Sequence, residues 1–372
     1  MTKQNKAFKF RLYPNKEQEE LLAKTFGCVR FVYNKMLAER KEIYEKFKDD
    51  KEKLKEQKFP TPAKYKDEFP FLKEVDSLAL ANAQIHLQNA YKNFFEGRAA
   101  FPKFKSKKHK QSYTTNMVNG NIKMEDGHIK LPKFKKPMKM KQHREIPADY
   151  KIKSCTISKT KTGKYYISIL TEYDHQPVPK ETENVVGLDF SMNTLYVDSE
   201  GKRANYPRFY RQALEKLARE QRVLSRRRKG SNRWHKQRLK VARLHEKIAN
   251  QRKDFLYKTS RQLANRYDAV VIEDLNMKGM SQALNFGKSV HDNGWGMFTT
   301  FLQYKLEEQG KKLIKIDKWF PSSKTCSCCG RVKVSLSLSE RLFRCECGFV
   351  ADRDTNAAIN IKKEGLKQLG IA

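Results

Sequence analysis

The sequence is short of acid. Its 372 residues hold 42 Asp+Glu against 78 Lys+Arg, a formal charge of +36. A chain so unbalanced repels itself and needs a polyanion partner. That points to nucleic acid rather than to a membrane surface. No apolar run comes near the ~18 residues of a membrane span, and the start, MTKQNKAFKFRLYP, has no signal-peptide core. The expected location is the cytoplasm. Cysteine is scarce outside one stretch: Cys28 and Cys155 stand alone, while Cys326, Cys328, Cys329, Cys345 and Cys347 cluster. In a reducing compartment such a cluster reads as a metal site rather than as disulfides, and the two loners as small buried hydrophobes. The hydrophobic share of 38% and aromatic share of 11% are lean but enough for real cores. At about 150 residues per domain, the length allows two or three folded units.

What is present begins with KAFKFRLYP, an alternating stretch that predicts a strand. Asn15 and Gln18 then form a capping-box pattern, and Leu22, Phe26, Val29, Tyr33 and Met36 share one face of the helix that follows. The Lys-rich run 48–58 reads as a solvated helix extension or loop. A second helix starts near Asp76–Ser77, with Leu80, Ala83, Leu87 and Phe94 at helical spacing. From Phe101 to Arg144 there are 13 Lys/Arg against 2 Asp/Glu, interleaved with aromatics. Short strands there and through YKIKSCTISKTKTGKYYISILTEY are joined by Asp-Gly and Thr-Gly turns, which favour hairpins. This predicts a basic β-rich module, completed by the N-terminal strand, with a face suited to nucleic acid. After the linker HQPVPKETEN, residues 207–253 carry 17 Lys/Arg against 3 Asp/Glu, a local charge of +14. Leu214, Leu217 and Leu224 form one seam, and Val241, Leu244, Ile248 and Phe255 another. RRRKGSNR between them is the turn of an antiparallel helical pair with a very basic outside.

Three acids stand out. NVVGLDFSMNTLYVDSEGK is a buried-strand pattern ending in Asp189, followed by a turn and a strand through Tyr196 and Val197. DAVVIEDLNM is a short apolar run ending in Glu273. DRDTNAAINIKKEGL places Asp354 at the mouth of a helix. The acids are 84 and 81 residues apart. Each alone fits a turn or cap residue, and Asp354 could simply cap its helix. Together they suit strand ends sharing one sheet edge, where clustered carboxylates repel unless a divalent cation joins them. Phosphodiester hydrolysis by two Mg²⁺ ions needs that arrangement. The order of strand, hairpin, strand, long insert, strand with Glu, then Asp on a helix is that of an RNase H-like nuclease core.

KTCSCCG offers Cys326-x-x-Cys329, whose spacing lets two thiolates grip one tetrahedral zinc. Cys345-x-Cys347 is one residue shorter than the usual pair but still reaches a shared metal. Cys328 is the spare. A zinc ribbon thus precedes the last acid: zinc holds a minidomain, and magnesium serves the chemistry.

GLDFSMNTLYVDSEG, VVIEDLNM and ADRDTNAAINI resemble the three RuvC motifs of TnpB proteins, RNA-guided endonucleases encoded by insertion sequences and similar to miniature type V CRISPR effectors. FRLYPNKEQEELL, FVYNKML, VDSLALANA, YKNFF, LSRRRKGSNRW and PSSKTCSCCG extend the likeness over nearly the whole chain. The resemblance implies a multidomain α+β architecture. A β-barrel wedge domain (residues 1–10 and 101–180) would carry an inserted helical recognition domain (11–100). A RuvC nuclease domain (181–321 and 351–372, with the basic pair at 207–262) would be interrupted by a zinc-ribbon module (322–350). It implies Asp189, Glu273 and Asp354 as the catalytic, Mg²⁺-binding trio, since the family pattern places the acid immediately before x-N-A; Asp352 is the other choice. Two Mg²⁺ and one structural Zn²⁺ follow, as do a guide RNA, double-stranded target DNA and a monomer associated with the prokaryotic nucleoid. Candidate nucleic-acid contacts are Ser77, Tyr91, Lys92, Lys103, Lys105, Tyr113 and Thr114, together with Arg226, Arg227, Arg228, Lys229 and Arg233. Rival readings are an unguided RuvC-like nuclease or transposase, and a nuclease-dead guided DNA-binding regulator. The Asp–Glu–Asp order argues against the transposase, and the presence of all three acids argues against the dead nuclease.

Overall fold

The computed structural model of the chain describes residues 2–282, 292–337 and 339–371. They form two compact units, Met1–Gln176 and Pro177–Ala372.

In the first unit, strand β1 (Thr2–Tyr13) is long because Phe8, Phe10 and Leu12 alternate inward against outward Lys9, Arg11 and Tyr13. It pairs antiparallel with β7 (Tyr165–His175) along most of its length and with β5 (Met138–Lys141) at its end. The seven-stranded sheet runs β2-β6-β7-β1-β5-β4-β3, with β2 at Gln111–Asn116, β3 at Lys123–Glu125, β4 at His128–Lys130 and β6 at Lys151–Lys159. The Asp-Gly turn is as expected: Asp126 and Gly127 both have positive φ, 45° and 69°, and close the two-residue β3–β4 hairpin.

Helix α1 (Lys16–Phe47) starts on the predicted capping box, Asn15 with Gln18. The Lys-rich run yields a short helix, α2 (Lys51–Glu56), and Tyr65–Glu68 forms a single turn, α3. Helix α4 (Ser77–Phe95) is capped by Asp76, whose other carboxylate oxygen accepts a 2.5 Å bond from the buried Thr115 hydroxyl on β2. The helices and the sheet bury one continuous apolar cluster. The helical segment therefore has no separate core of its own.

The second unit is built on a four-stranded sheet ordered β11-β10-β8-β9. Strands β8 (Val185–Ser191), β10 (Ala269–Glu273) and β11 (Lys312–Ile316) are parallel, and β9 (Leu195–Asp198) returns antiparallel along β8. Both faces are covered, which explains the unbroken apolar runs VVGL and AVVI. Val186, Leu188, Val270 and Ile272 pack toward α6 (Asn232–Arg266) and α8 (Trp295–Glu307). Val185, Ala269 and Val271 pack on the opposite face toward α9 (Arg353–Leu369). Helix α5 (Phe209–Ser225) and α6 form the expected antiparallel pair, and Met277–Gln282 is a short helix, α7. The seam of the pair differs in detail. Leu217, Val241 and Ile248 are buried, but Leu214 is 40% exposed, and the fully enclosed Gln237 fills the seam by bonding Glu220.

Candidate active site and metal centre

Strand periodicity puts two of the acids on one face of the sheet. Successive residues of a strand face opposite ways, so Asp189 shares the face of Val185 and Gly187, and Glu273 that of Ala269 and Val271. Both are α9-facing positions. The parallel ladder pairs Leu188 with Ile272, and each acid is the next residue on its strand, at the carboxyl end of the sheet. Helix α9 is pressed unusually close to β8. A Cβ added at Gly187 would lie 2.2 Å from the Ala358 carbonyl oxygen and 2.6 Å from the Lys362 nitrogen. Gly365 meets the Val271 side chain in the same way. These two glycines seat the helix on the strands that carry the acids, and Asp354 lies in its first turn.

The electrostatics report the crowding. Burial pushes the Asp189 carboxyl well above its usual range, and the charges of Glu273 and Asp354 push it further. Burial also raises Glu273, offset in part by a 2.5 Å hydrogen bond donated by the Ser322 hydroxyl. The Arg353 guanidinium approaches Asp354 Oδ1 at 3.3 Å. Asp352 is employed differently. Its Oδ1 accepts from the Thr355 amide at 3.0 Å, capping α9, and its Oδ2 accepts from Arg203 at 3.1 Å. The trio offers oxygen donors with mutual repulsion, a set suited to a hard divalent cation.

Four thiols converge more tightly. The Sγ atoms of Cys326, Cys329, Cys345 and Cys347 all lie within 4.8 Å of one another, the one such group among the described residues. Cys326–Cys347 is 3.8 Å and Cys329–Cys345 is 3.6 Å. Zinc–sulfur bonds of about 2.3 Å in a tetrahedron require sulfurs about 3.8 Å apart, so these two pairs already have the separation that one zinc needs. Although burial opposes its charge, the amides of Cys329 and Cys328 and the neighbouring thiols hold the Cys326 thiol down to about 7. Cys328 is exposed and lies outside this group.

Sequence reasoning missed how the thiol cluster is tied to α9. Asn356, fully buried, accepts from the Ser327 amide and donates to the Thr325 carbonyl; Asn360 donates to the carbonyls of Ser322 and Thr325. Two asparagines one turn apart on an apolar helix face were the available signal.

The candidate nucleic-acid residues divide. Ser77, Lys92, Lys103, Arg226, Arg228, Lys229 and Arg233 are exposed, and Tyr91, Thr114 and Arg227 half-buried. Lys105 lies with its ammonium 3.9 Å from the Tyr33 ring centre. The Thr114 hydroxyl bonds that of Thr156, and Ser77 accepts from Lys66. Tyr113 is a correction. It is 2% exposed and packs on Phe26 in the core, because the alternation of β2 turns it inward, so its ring is closed to a ligand.

Family comparisons follow this geometry. Residues 168–284, which include Asp189 and Glu273, match a family described as "Probable transposase". Residues 295–361, which include the four cysteines and Asp354, match "Cas12f1-like, TNB domain". Residues 1–49 match one described as "Helix-turn-helix domain", although here they form one strand and one long helix. A Streptomyces pristinaespiralis protein named "Putative RNA-guided DNA endonuclease" is 37% identical over 98% of this chain and 90% of its own. The chain belongs to the TnpB family. A second member, from Escherichia coli K12, named "Putative RNA-guided DNA endonuclease InsQ", is 33% identical over 98% of this chain and 93% of its own. The solved structure "Cryo-EM structure of the Cas12f1-sgRNA-target DNA complex" aligns with a TM-score of 0.61 at 13% identity, covering 97% of this chain and 99% of that one. At that identity the likeness is one of fold.

Proposed function

We propose that this chain, an RNA-guided DNA endonuclease by family, cuts DNA by divalent-cation-dependent phosphodiester hydrolysis at Asp189, Glu273 and Asp354 in a RuvC-type site. The observation that carries this reading is geometric: Asp189 and Glu273 directly follow paired residues on neighbouring parallel strands, on the face covered by α9 with Asp354 in its first turn, and both other acids bear electrostatically on Asp189. Such a cluster is costly until a cation neutralises it. Mg²⁺ bound there supplies charge and Lewis acidity to the scissile phosphate and the attacking water.

The chain's own residues prepare the site. Gly187 and Gly365 let α9 bring Asp354 to the strand ends, and Arg353 restrains the Asp354 carboxylate. Asp189, whose charge is opposed by burial and by the other two acids, is the carboxylate that a bound cation would relieve most. Asp352 serves as helix cap, which supports Asp354 as the third ligand. Zinc in the four-thiol cluster makes residues 322–350 a ribbon anchored to α9. The exposed arginines of the α5–α6 turn and the basic sheet of the first unit suit RNA and DNA backbones. Base pairing to the guide then supplies sequence choice. We assign the sheet with β1 to the wedge domain and α1–α4 to the recognition domain, and take the working unit as a monomer.

The test is cleavage of a plasmid library with randomised flanks, using protein with matched, mismatched or no guide RNA. Asp189→Ala, Glu273→Gln and Asp354→Ala should each abolish cutting while retaining nucleic-acid binding. Equal cutting with all three RNA conditions would remove the guided reading. Full activity in the Asp354 variant would remove the site.

A further inference from the structure

Ser322 belongs to the segment that leads into the first cysteine pair, yet its side chain serves the other site. It is buried, and its hydroxyl donates to Glu273 Oε1 at 2.5 Å. Its own carbonyl accepts from Asn360 of α9 at 2.8 Å, and three residues on Thr325 is held by Asn356 and Asn360, both at 2.7 Å. Cys326 follows directly. The serine is therefore clamped by the same helix that bears Asp354, at the base of the thiol cluster.

We propose that Ser322 is the positioning residue for Glu273, delivered by the root of the cysteine module, and that it sets the divalent-cation affinity of the carboxylate site. This rests on reading Glu273 as a cation ligand. Glutamate has three side-chain torsions, and freezing them on cation entry is entropically unfavourable. The hydroxyl fixes one carboxylate oxygen beforehand and leaves the other oxygen and the remaining lone pairs to a ligand. Losing such a partner typically weakens metal binding about 10–100-fold. The placement also gives the ribbon a second role, because its attachment to α9 holds a side chain on the active carboxylate as well as closing a minidomain.

The test uses the full-length protein without nucleic acid, titrated with Mn²⁺ and followed by electron paramagnetic resonance, alongside guided cleavage as a function of Mg²⁺. Ser322→Ala should weaken Mn²⁺ binding about tenfold or more and raise the Mg²⁺ needed for half-maximal cleavage to match. Its rate at saturating Mg²⁺ and its zinc content should stay near wild type. Ser322→Thr, which keeps the hydroxyl, should restore Mn²⁺ affinity, which a merely structural role would not require. On a Glu273→Gln background, Ser322→Ala should have no further effect on binding. Wild-type Mn²⁺ affinity in Ser322→Ala, or damage in Ser322→Thr equal to that in Ser322→Ala, overturns the proposal. If Glu273→Gln itself binds Mn²⁺ normally, the ligand assignment fails instead, so the two failures are separable.

Discussion

Substituting Gly187 by Ala tests the seating of α9. The φ of Gly187 is not in the left-handed region, so alanine is acceptable to the backbone and only space decides. The new methyl would sit 2.2 Å from the Ala358 carbonyl oxygen. Relief to an ordinary contact needs α9 to recede by about 1 Å, because the two closest atoms are helix backbone and the third, Lys362 Cβ, is fixed to that backbone and cannot swing away. Overpacking of this kind costs about 1–3 kcal/mol. For a unit near 200 residues, each kcal/mol lowers Tm by about 2–4 °C, so the expected loss is about 2–12 °C. Asp354 lies one helical turn before Ala358 and moves with it. A displacement near 1 Å at a catalytic constellation can cost about 10²-fold in rate. The assay is calorimetric melting together with guided plasmid cleavage at saturating Mg²⁺, with Gly296→Ala as control. Gly296 lies in the first turn of α8 with nothing within 4 Å of the added carbon, and alanine there should raise stability by about 0.5–1 kcal/mol. Wild-type Tm and rate in Gly187→Ala would refute the seating. A lowered Tm with an unchanged rate would show that the seat stabilises the fold without aligning the carboxylates.

Three further outcomes are expected. Cys345→Ser should lose zinc and loosen residues 322–350, while Cys328→Ser keeps about one zinc per chain; full zinc in the Cys345 variant by elemental analysis refutes the ligand set. Asp352→Ala, which removes the α9 cap but none of the proposed ligands, should cost about 1 kcal/mol in urea unfolding and retain cleavage. Glu200 is held down to about 2 by its bonds from Lys202 and Tyr267 and by the Arg266 charge. A depressed carboxylate contributes stability above its unfolded value and loses it as pH falls toward the folded one, here from near pH 4.5 toward 2. Because its side chain is 40% exposed, the contribution is about 1 kcal/mol rather than the full shift. Glu200→Gln should be less stable by that amount at pH 7, with the gap shrinking below pH 4.5; a gap unchanged at low pH refutes it.

Local pattern carried a good deal of this protein. The Asn15–Gln18 box starts α1 and the Asp-Gly pair closes its hairpin because neighbours within a few residues govern such geometry; the cysteine spacing named the four thiols, whose meeting closes loops of 16 to 21 residues. The parity of Asp189 with Gly187 and of Glu273 with Val271 was likewise in the sequence, since strand residues alternate. Other outcomes needed the fold. That both parities face α9 depends on the strand order β11-β10-β8-β9, which no local period encodes. The inward turn of Tyr113 depends on which face of β2 meets α1, and the exposure of Leu214 on how α5 crosses α6. The bonds of Ser322 to Glu273 and of Asn356 and Asn360 to the ribbon root join residues 29 to 49 positions apart. Hydrogen bonds are short-ranged and directional, so which distant donor meets which acceptor is decided only once the chain has closed those loops and packed the helix on the sheet.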